Sequence, residues 1–260
     1  MLEAKQYKHN YFLTLTYDEE HLPRLDMQDT VYSTLYKKDL QKFLKDLRRY
    51  YEYHYKHVGI RFYACGEYGD KTKRAHYHLI MFNMPIYTNL PNYKKNHEGI
   101  MLKEGGFLTD IWKKGYVVVA PMEWSCAAYV ARYCTKKITG NRSDEYYRGR
   151  TPEFSVMSRN PGIARNFYDM HKNEIYKNDE IFITGKGNKT QKVQPSTYYD
   201  KLYDVENAED LEDIKWKRQQ VAIEKRRQEL SKTDLAEKDY REIKHLKQLE
   251  RAKKLPRKEI

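Results

Sequence analysis

Residues Ile60–Phe82 read IRFYACGEYGDKTKRAHYHLIMF, and the architecture turns on this stretch. Ile60–Cys65 and His76–Phe82 are rich in β-formers, whereas Gly66–Ala75 is dense in charged and turn-forming residues, so the segment reads as two strands and a connecting turn. His76 and His78 are two apart in the second strand, so both imidazoles project from one face. Leu79 and Met81 tie that strand to a core. Glu67, nine residues before His76, ends the first strand, and antiparallel pairing brings it alongside. Two imidazoles and one carboxylate are a metal-ligand set that leaves coordination positions open for water or phosphate oxygens, as a catalytic site needs. The plainer reading of the same residues is a pair of surface histidines on a strand.

Working outward, Tyr11–Tyr17 (YFLTLTY) alternates and reads as a strand, followed by a loop over Asp18–Pro23. Leu40, Phe43, Leu44, Leu47 and Tyr51 recur at helical spacing and predict a helix from Lys37 to about Lys56. Its opposite face carries Lys38, Lys42, Lys45 and Arg49, which serve solvation or track phosphates. Residues 84–106 contain Pro85, Pro91, Gly99, Gly105 and Gly106 and read as a loop insertion. Gly115–Ala120 (GYVVVA) is another strand, and a helix follows from about Pro121 to Ile138 with Gly140-Asn141 as its stop. Ile181–Thr184 and Lys192–Gln194 flank GKGN as a hairpin. Ser158–Gly162 (SRNPG) reads as a loop for which the sequence supplies no role. This order of elements predicts an α+β domain with a mostly antiparallel sheet over residues 1–204. Residues 205–260, dense in Lys, Arg, Glu and Gln, form a charged helical C-terminal extension with a thin apolar stripe.

The chain has 260 residues, 49 Lys+Arg against 37 Asp+Glu, a formal charge of +12 and 25 tyrosines. A basic, tyrosine-rich chain suits a polyanionic partner, because Lys and Arg neutralise phosphates and aromatic rings stack on unpaired bases. Basic charge also serves solubility, so motifs must decide. No run of 18 apolar residues can span a bilayer. The N-terminus MLEAKQYKHNYF has no apolar signal region, and Cys65, Cys126 and Cys134 make neither an even disulfide framework nor a zinc pattern. The expectation is a soluble protein of a reducing compartment, with buried cysteines. Trp112, Trp124 and Trp216 read as packing residues.

The other chemical signal is AAYVARYCTKK, Ala127–Lys137. Cys126, Val130 and Cys134 supply the core stripe of a helix, while Tyr129 and Tyr133 share an adjacent face one turn apart. Arg132, Lys136 and Lys137 lie close to that face and can hold phosphates. Two half-buried packing tyrosines with wet hydroxyls are the alternative. A tyrosine hydroxyl with an ordinary pKa near 10 is a poor nucleophile at neutral pH. A divalent ion at His76, His78 and Glu67 would polarise a scissile phosphate and offset that weakness.

The order FLTLTYD, then HYH with an upstream glutamate, then YVARYCTKK resembles the HUH endonucleases. More closely, it resembles the rolling-circle replication initiators of gokushovirus-type microviruses. YFLTLTYDEEHLP, FYACGEYGDKTKRAHYHLIMF, FSVMSRNPGIAR and PSTYYDKL extend the similarity over roughly residues 10–205. The resemblance implies a five-stranded antiparallel sheet flanked by helices. It implies Mg²⁺ or Mn²⁺ held by His76, His78 and Glu67, with Tyr129 and Tyr133 as paired nucleophiles. Lys136, at Y-x-x-K spacing, would contact the scissile phosphate or the active tyrosine; Arg132 stands where related initiators often carry Lys. Tyr77 is less apolar than the middle residue of the family motif. The implied activity is nicking and joining of one DNA strand at a phage replication origin through a 5′-phosphotyrosine. Single-stranded origin DNA, double-stranded replicative-form DNA, host helicase and host DNA polymerase would be its partners in the host bacterial cytoplasm. No membrane is involved. The chain lacks a G-x-x-x-x-G-K-[ST] loop, in keeping with chemistry that conserves the ester bond. Two rivals remain at this point: a non-catalytic single-stranded nucleic-acid-binding module, and a plasmid relaxase or transposase of the same fold.

Overall fold

The structure is a computed structural model that describes residues 1–27, 30–96, 98–136, 138, 140, 142–185 and 189–254. The strands are β1 (Asn10–Tyr17), β2 (Arg24–Met27), β3 (Thr30–Ser33), β4 (Arg61–Tyr68), β5 (Ala75–Phe82), β6 (Asn92–Lys95), β7 (Met101–Glu104), β8 (Gly115–Pro121), β9 (Phe154–Met157), β10 (Ile181–Thr184) and β11 (Thr190–Val193). The helices are α1 (Lys37–Tyr55), α2 (Phe107–Trp112), α3 (Trp124–Lys136), α4 (Arg142–Tyr147), α5 (Arg165–Asn178), α6 (Thr197–Asp204), α7 (Ala208–Leu230) and α8 (Glu237–Lys254).

The main sheet runs β6-β7-β8-β1-β5-β4-β9, with every neighbouring pair antiparallel. It has seven strands among the described residues rather than the five implied by resemblance. The five central ones are β8, β1, β5, β4 and β9; β7 and β6 come from residues 84–106 and extend one edge. β6 is fully exposed, and its register with β7 shifts between Asn92 and Lys95. The hairpins β2–β3 and β10–β11 stand apart as two-stranded sheets.

Alternation sorts the central strands into two faces. Leu13, Leu15 and Tyr17 of β1, Tyr77, Leu79 and Met81 of β5, and Val117 and Val119 of β8 share one buried cluster with Leu40, Phe43, Leu44, Leu47 and Tyr51 of α1. Burying each such apolar side chain contributes about 1.5–3 kcal/mol. α1 stops at Lys56, which takes a left-handed φ of 51° and returns its N–H to Glu52 O. Its entry has no side-chain cap of its own. Instead, the Tyr77 hydroxyl accepts from Tyr36 N and donates to Tyr36 O, both at 3.0 Å, while Leu35 N donates to the Tyr68 hydroxyl. The polar middle residue of the H-Y-H motif therefore uses its hydroxyl to seat a helix. The opposite face of β5 carries His76 and His78 and is covered in part by α3.

Packing divides the chain into two compact units. One comprises Met1–Asp169 with Thr184–Lys189, the other Met170–Ile183 with Thr190–Ile260. Within the second, the Tyr176 and Tyr203 rings stack at 3.7 Å, Leu211 and Ile214 are buried, and Arg218 bridges Asp179 and Asp200. α7 and α8 are joined by ion pairs from Lys244 to Glu229 and from Arg226 to Glu237. No described helix is long and apolar enough to cross a membrane. Trp112 is buried as a packing residue, but Trp124 and Trp216 are exposed, so packing does not describe them.

Candidate active site

Register assembles the site. β1 sets Thr14 opposite His78 and Thr16 opposite His76, while β4 sets Cys65 opposite His78 and Glu67 opposite His76. Glu67, His76 and His78 thus converge on one sheet face, their candidate ligand atoms all within 4.8 Å of one another. Nε2 of His76 lies 2.9 Å and Nε2 of His78 2.8 Å from Glu67 Oε1. Glu67 and His78 are buried and His76 is half-buried. Gly66 lets the strand before Glu67 pack tightly, since a Cβ there would come within 3.0 Å of Leu35 and Phe154.

The second ring nitrogens have partners that fix the rings. Nδ1 of His76 lies 3.0 Å from the Arg74 carbonyl, and Nδ1 of His78 lies 3.0 Å from Thr14 Oγ1. Each Nε2 is thereby turned toward Glu67, the arrangement in which outer partners orient metal-binding histidines. Phe12 stacks on the His78 ring at 5.4 Å and meets Tyr129 edge-on at 6.2 Å. Burial alone would push the Glu67 pKa up, but hydrogen bonds with His76 and His78, reinforced by their charges, outweigh it and hold the carboxyl at about 2. The group is therefore an anion ready to act as a ligand. Two imidazoles and one carboxylate fit a divalent cation with further positions left for oxygen ligands.

α3 delivers Tyr129 to this centre. Val130 and Cys126 are buried on the same helix, and Tyr129 is itself only 6% exposed rather than half-wet. Its hydroxyl donates to Glu67 Oε1 at 3.1 Å and lies 3.4 Å from His78 Nε2. The expected wet, packing-only tyrosine does not match this placement. Tyr133, Arg132 and Lys136 belong to α3, but their side chains lie outside the described residues, as do Lys137 as a whole and the Cys134 side chain. Cys65 and Cys126 are buried free thiols. Sequence reasoning did not find Thr14, Phe12 or the Arg74 carbonyl. The alternation of YFLTLTY was the available signal, since Phe12 and Thr14 sit on its second face.

An antiparallel α+β sheet with a histidine–carboxylate centre on its middle strands, covered by a tyrosine-bearing helix, defines the class of protein. Residues 10–138 match the sequence model of the replication-associated protein ORF2 family, and over that segment the chain belongs to this family. It is 35% identical over 223 residues to the replication-associated protein ORF2 of Spiroplasma virus 4, covering 83% of this chain and 65% of that protein. It is 33% identical over 150 residues to the replication-associated protein VP4 of Bdellovibrio phage phiMH2K, covering 56% of this chain and 44% of the relative. It is 31% identical over 188 residues to the replication-associated protein ORF4 of Chlamydia phage 1, covering 71% and 44%. The matches therefore span about half to two thirds of the relatives' own lengths. No solved structure matches the chain.

Proposed function

We propose that this protein initiates and terminates rolling-circle replication of a phage genome by nicking and rejoining one DNA strand at the origin. The observation that carries the reading is the Tyr129 hydroxyl, 3.1 Å from Glu67 and 3.4 Å from His78 within the triad. Mg²⁺ or Mn²⁺ bound by His76, His78 and Glu67 would supply Lewis-acid polarisation of the scissile phosphate. Tyr129 Oη attacks phosphorus, the P–O3′ bond breaks, and the leaving 3′ oxygen takes a proton to become a free 3′-hydroxyl. The proton that Tyr129 must lose already points at a carboxylate oxygen, so an acceptor is in place. Phe12 and Tyr129 pack around His78 and shield it from bulk water. Tyr133, one turn along α3, is the second nucleophile, which attacks the regenerated origin so that the released 3′-hydroxyl resolves the first ester and closes a circle. Lys136, Arg132 and Lys137 hold phosphates near this helix. Residues 1–204 carry the chemistry and 205–260 act as an extension, with host helicase and polymerase completing replication in the bacterial cytoplasm.

The test incubates the full chain with Mn²⁺ and labelled single-stranded oligonucleotides of randomised core, followed by a denaturing gel and mass spectrometry. A covalent adduct on Tyr129 or Tyr133 is expected. It should vanish with EDTA, with His76→Ala and in the Tyr129→Phe/Tyr133→Phe double variant. Salt-sensitive binding with no adduct, on these oligonucleotides and on supercoiled origin DNA alike, would make the protein a binding module instead.

A further inference from the structure

The loop Ser158–Gly162 is firmly anchored at the end of the sheet. Ser158 N donates to Phe62 O at 3.0 Å and Ser158 Oγ accepts from Phe62 N at 3.1 Å. Arg61 donates through Nη2 to the carbonyls of Pro161 and Gly162, both at 2.8 Å, while its Nε pairs with the buried Glu3. These bonds build one wall of a cavity of about 870 Å³, whose lining includes Arg48, Arg61, Arg159, Asn83, Asn160 and Asn166, and no carboxylate among the described lining residues. The Arg61 charge is answered by Glu3. Arg48 lies over the Phe62 ring at 5.3 Å, and its two hydrogen bonds both go to the neutral Ile60 carbonyl. Burial and the neighbouring Arg61 charge press its pKa down, as happens where positive charge lacks a counter-ion. Arg159 and Asn160 are exposed at the rim. A polar, basic, amide-lined cavity without carboxylates suits phosphate oxygens: guanidinium groups match them in fork geometry and amides donate beside them.

We propose that this cavity is a second binding site for DNA phosphates, separate from the histidine–glutamate centre. It rests on the reading of the protein as an origin nuclease and adds where the rest of the DNA is held. Arg61 lies on the same alternating face of β4 as Glu67 and six residues away, about 20 Å at ~3.3 Å per residue. That distance corresponds to about six phosphate steps of one duplex strand at ~3.4 Å each. A strand with its scissile phosphate at the triad therefore reaches Arg48 and Arg159 about half a helical turn away.

The experiment is fluorescence-anisotropy titration of the full chain with DNA of about 30 nucleotides, as a single strand and as a duplex, over a series of NaCl concentrations. Arg159→Glu and Arg48→Gln are each expected to weaken binding to at least one form about tenfold near 0.1 M salt. Each should also lower the slope of log affinity against log salt by about one per lost cation. Arg48→Lys should restore the slope because it restores the charge, which separates a lost phosphate contact from a misfolded variant. Wild-type affinity and slope in both variants would overturn the proposal, as would a lost affinity with no change of slope, the mark of a site for some uncharged ligand or of misfolding. The adduct assay distinguishes the failures: adduct formed but variants binding as wild type removes only this site. No salt-dependent binding by the wild-type chain removes both readings.

Discussion

At the residue scale, Thr14 and Arg74 set the geometry of the histidine pair without belonging to the ligand set. The Thr14 hydroxyl holds Nδ1 of His78 at 3.0 Å, and the Arg74 carbonyl does the same for His76. Partners of this kind contribute about ten- to a hundredfold to metal affinity. Thr14→Val keeps the volume and the strand propensity but deletes the hydroxyl. Its expected outcome is Mn²⁺ binding about ten- to a hundredfold weaker by calorimetry, with an unchanged far-ultraviolet circular dichroism spectrum; equal affinity would show that Thr14 does not position His78. His76, His78 and Glu67 were legible because a tight hairpin and a period of two are local features. Thr14 and Phe12 were not. Their place beside His78 depends on β1 pairing with β5 across 64 residues, and register at that separation is set by the folded sheet rather than by neighbouring sequence. Nor does sequence reveal that Tyr129 is the tyrosine whose hydroxyl reaches Glu67, since in a chain with 25 of them burial is decided by what covers each one.

At the scale of elements, the helix α1 and the strand β5 are joined through one hydroxyl. Tyr77 bonds both the N–H and the carbonyl of Tyr36, and lies 2.8 Å from the Tyr17 hydroxyl. Tyr77→Phe leaves these buried groups without that partner and should cost about 1–3 kcal/mol in urea unfolding. Burial, the largest influence, pushes the Tyr77 pKa up to about 12 from an ordinary 10. A raised pKa favours the protonated, folded state, so this contribution is whole below pH 10 and is lost as pH climbs from about 10 to about 12. Wild-type stability should fall across that window, and the Phe variant should fall less steeply; parallel slopes would exclude the hydroxyl as the titrating group. α1 itself was plain from its apolar spacing, and β1, β4, β5 and β8 from their alternation or apolar runs. β6 and β7 were hidden because NYKK and MLKE are short, polar and bounded by Pro or Gly, and become strands only by pairing onto β8. The hairpin β2–β3 escaped for the same reason.

At the scale of the whole molecule, a charge of +12 gives DNA association a strong dependence on salt, whichever surface makes the contact. The second unit depends on one cation. Arg218 donates to both Asp179 and Asp200, with side chains 16–29% exposed, and those bonds, the Asp179 one foremost, raise its own pKa. Removing it strands two half-buried carboxylates beside each other. Arg218→Met is expected to cost that unit about 1–3 kcal/mol, less than the ~3–5 of a fully buried pair. Limited proteolysis with mass spectrometry should then find new early cuts after residue 170 while the segment bearing His76 and His78 stays resistant; an unchanged cleavage pattern would count against the bridge. The register shift in β6, together with its exposed Lys94 and Lys95, has a consequence for crowding inside a cell making many copies of the chain. A kinked border lined with like charges is a poor template for a neighbouring molecule's strand. A seven-stranded sheet that ends there can remain open on one side without seeding fibrils.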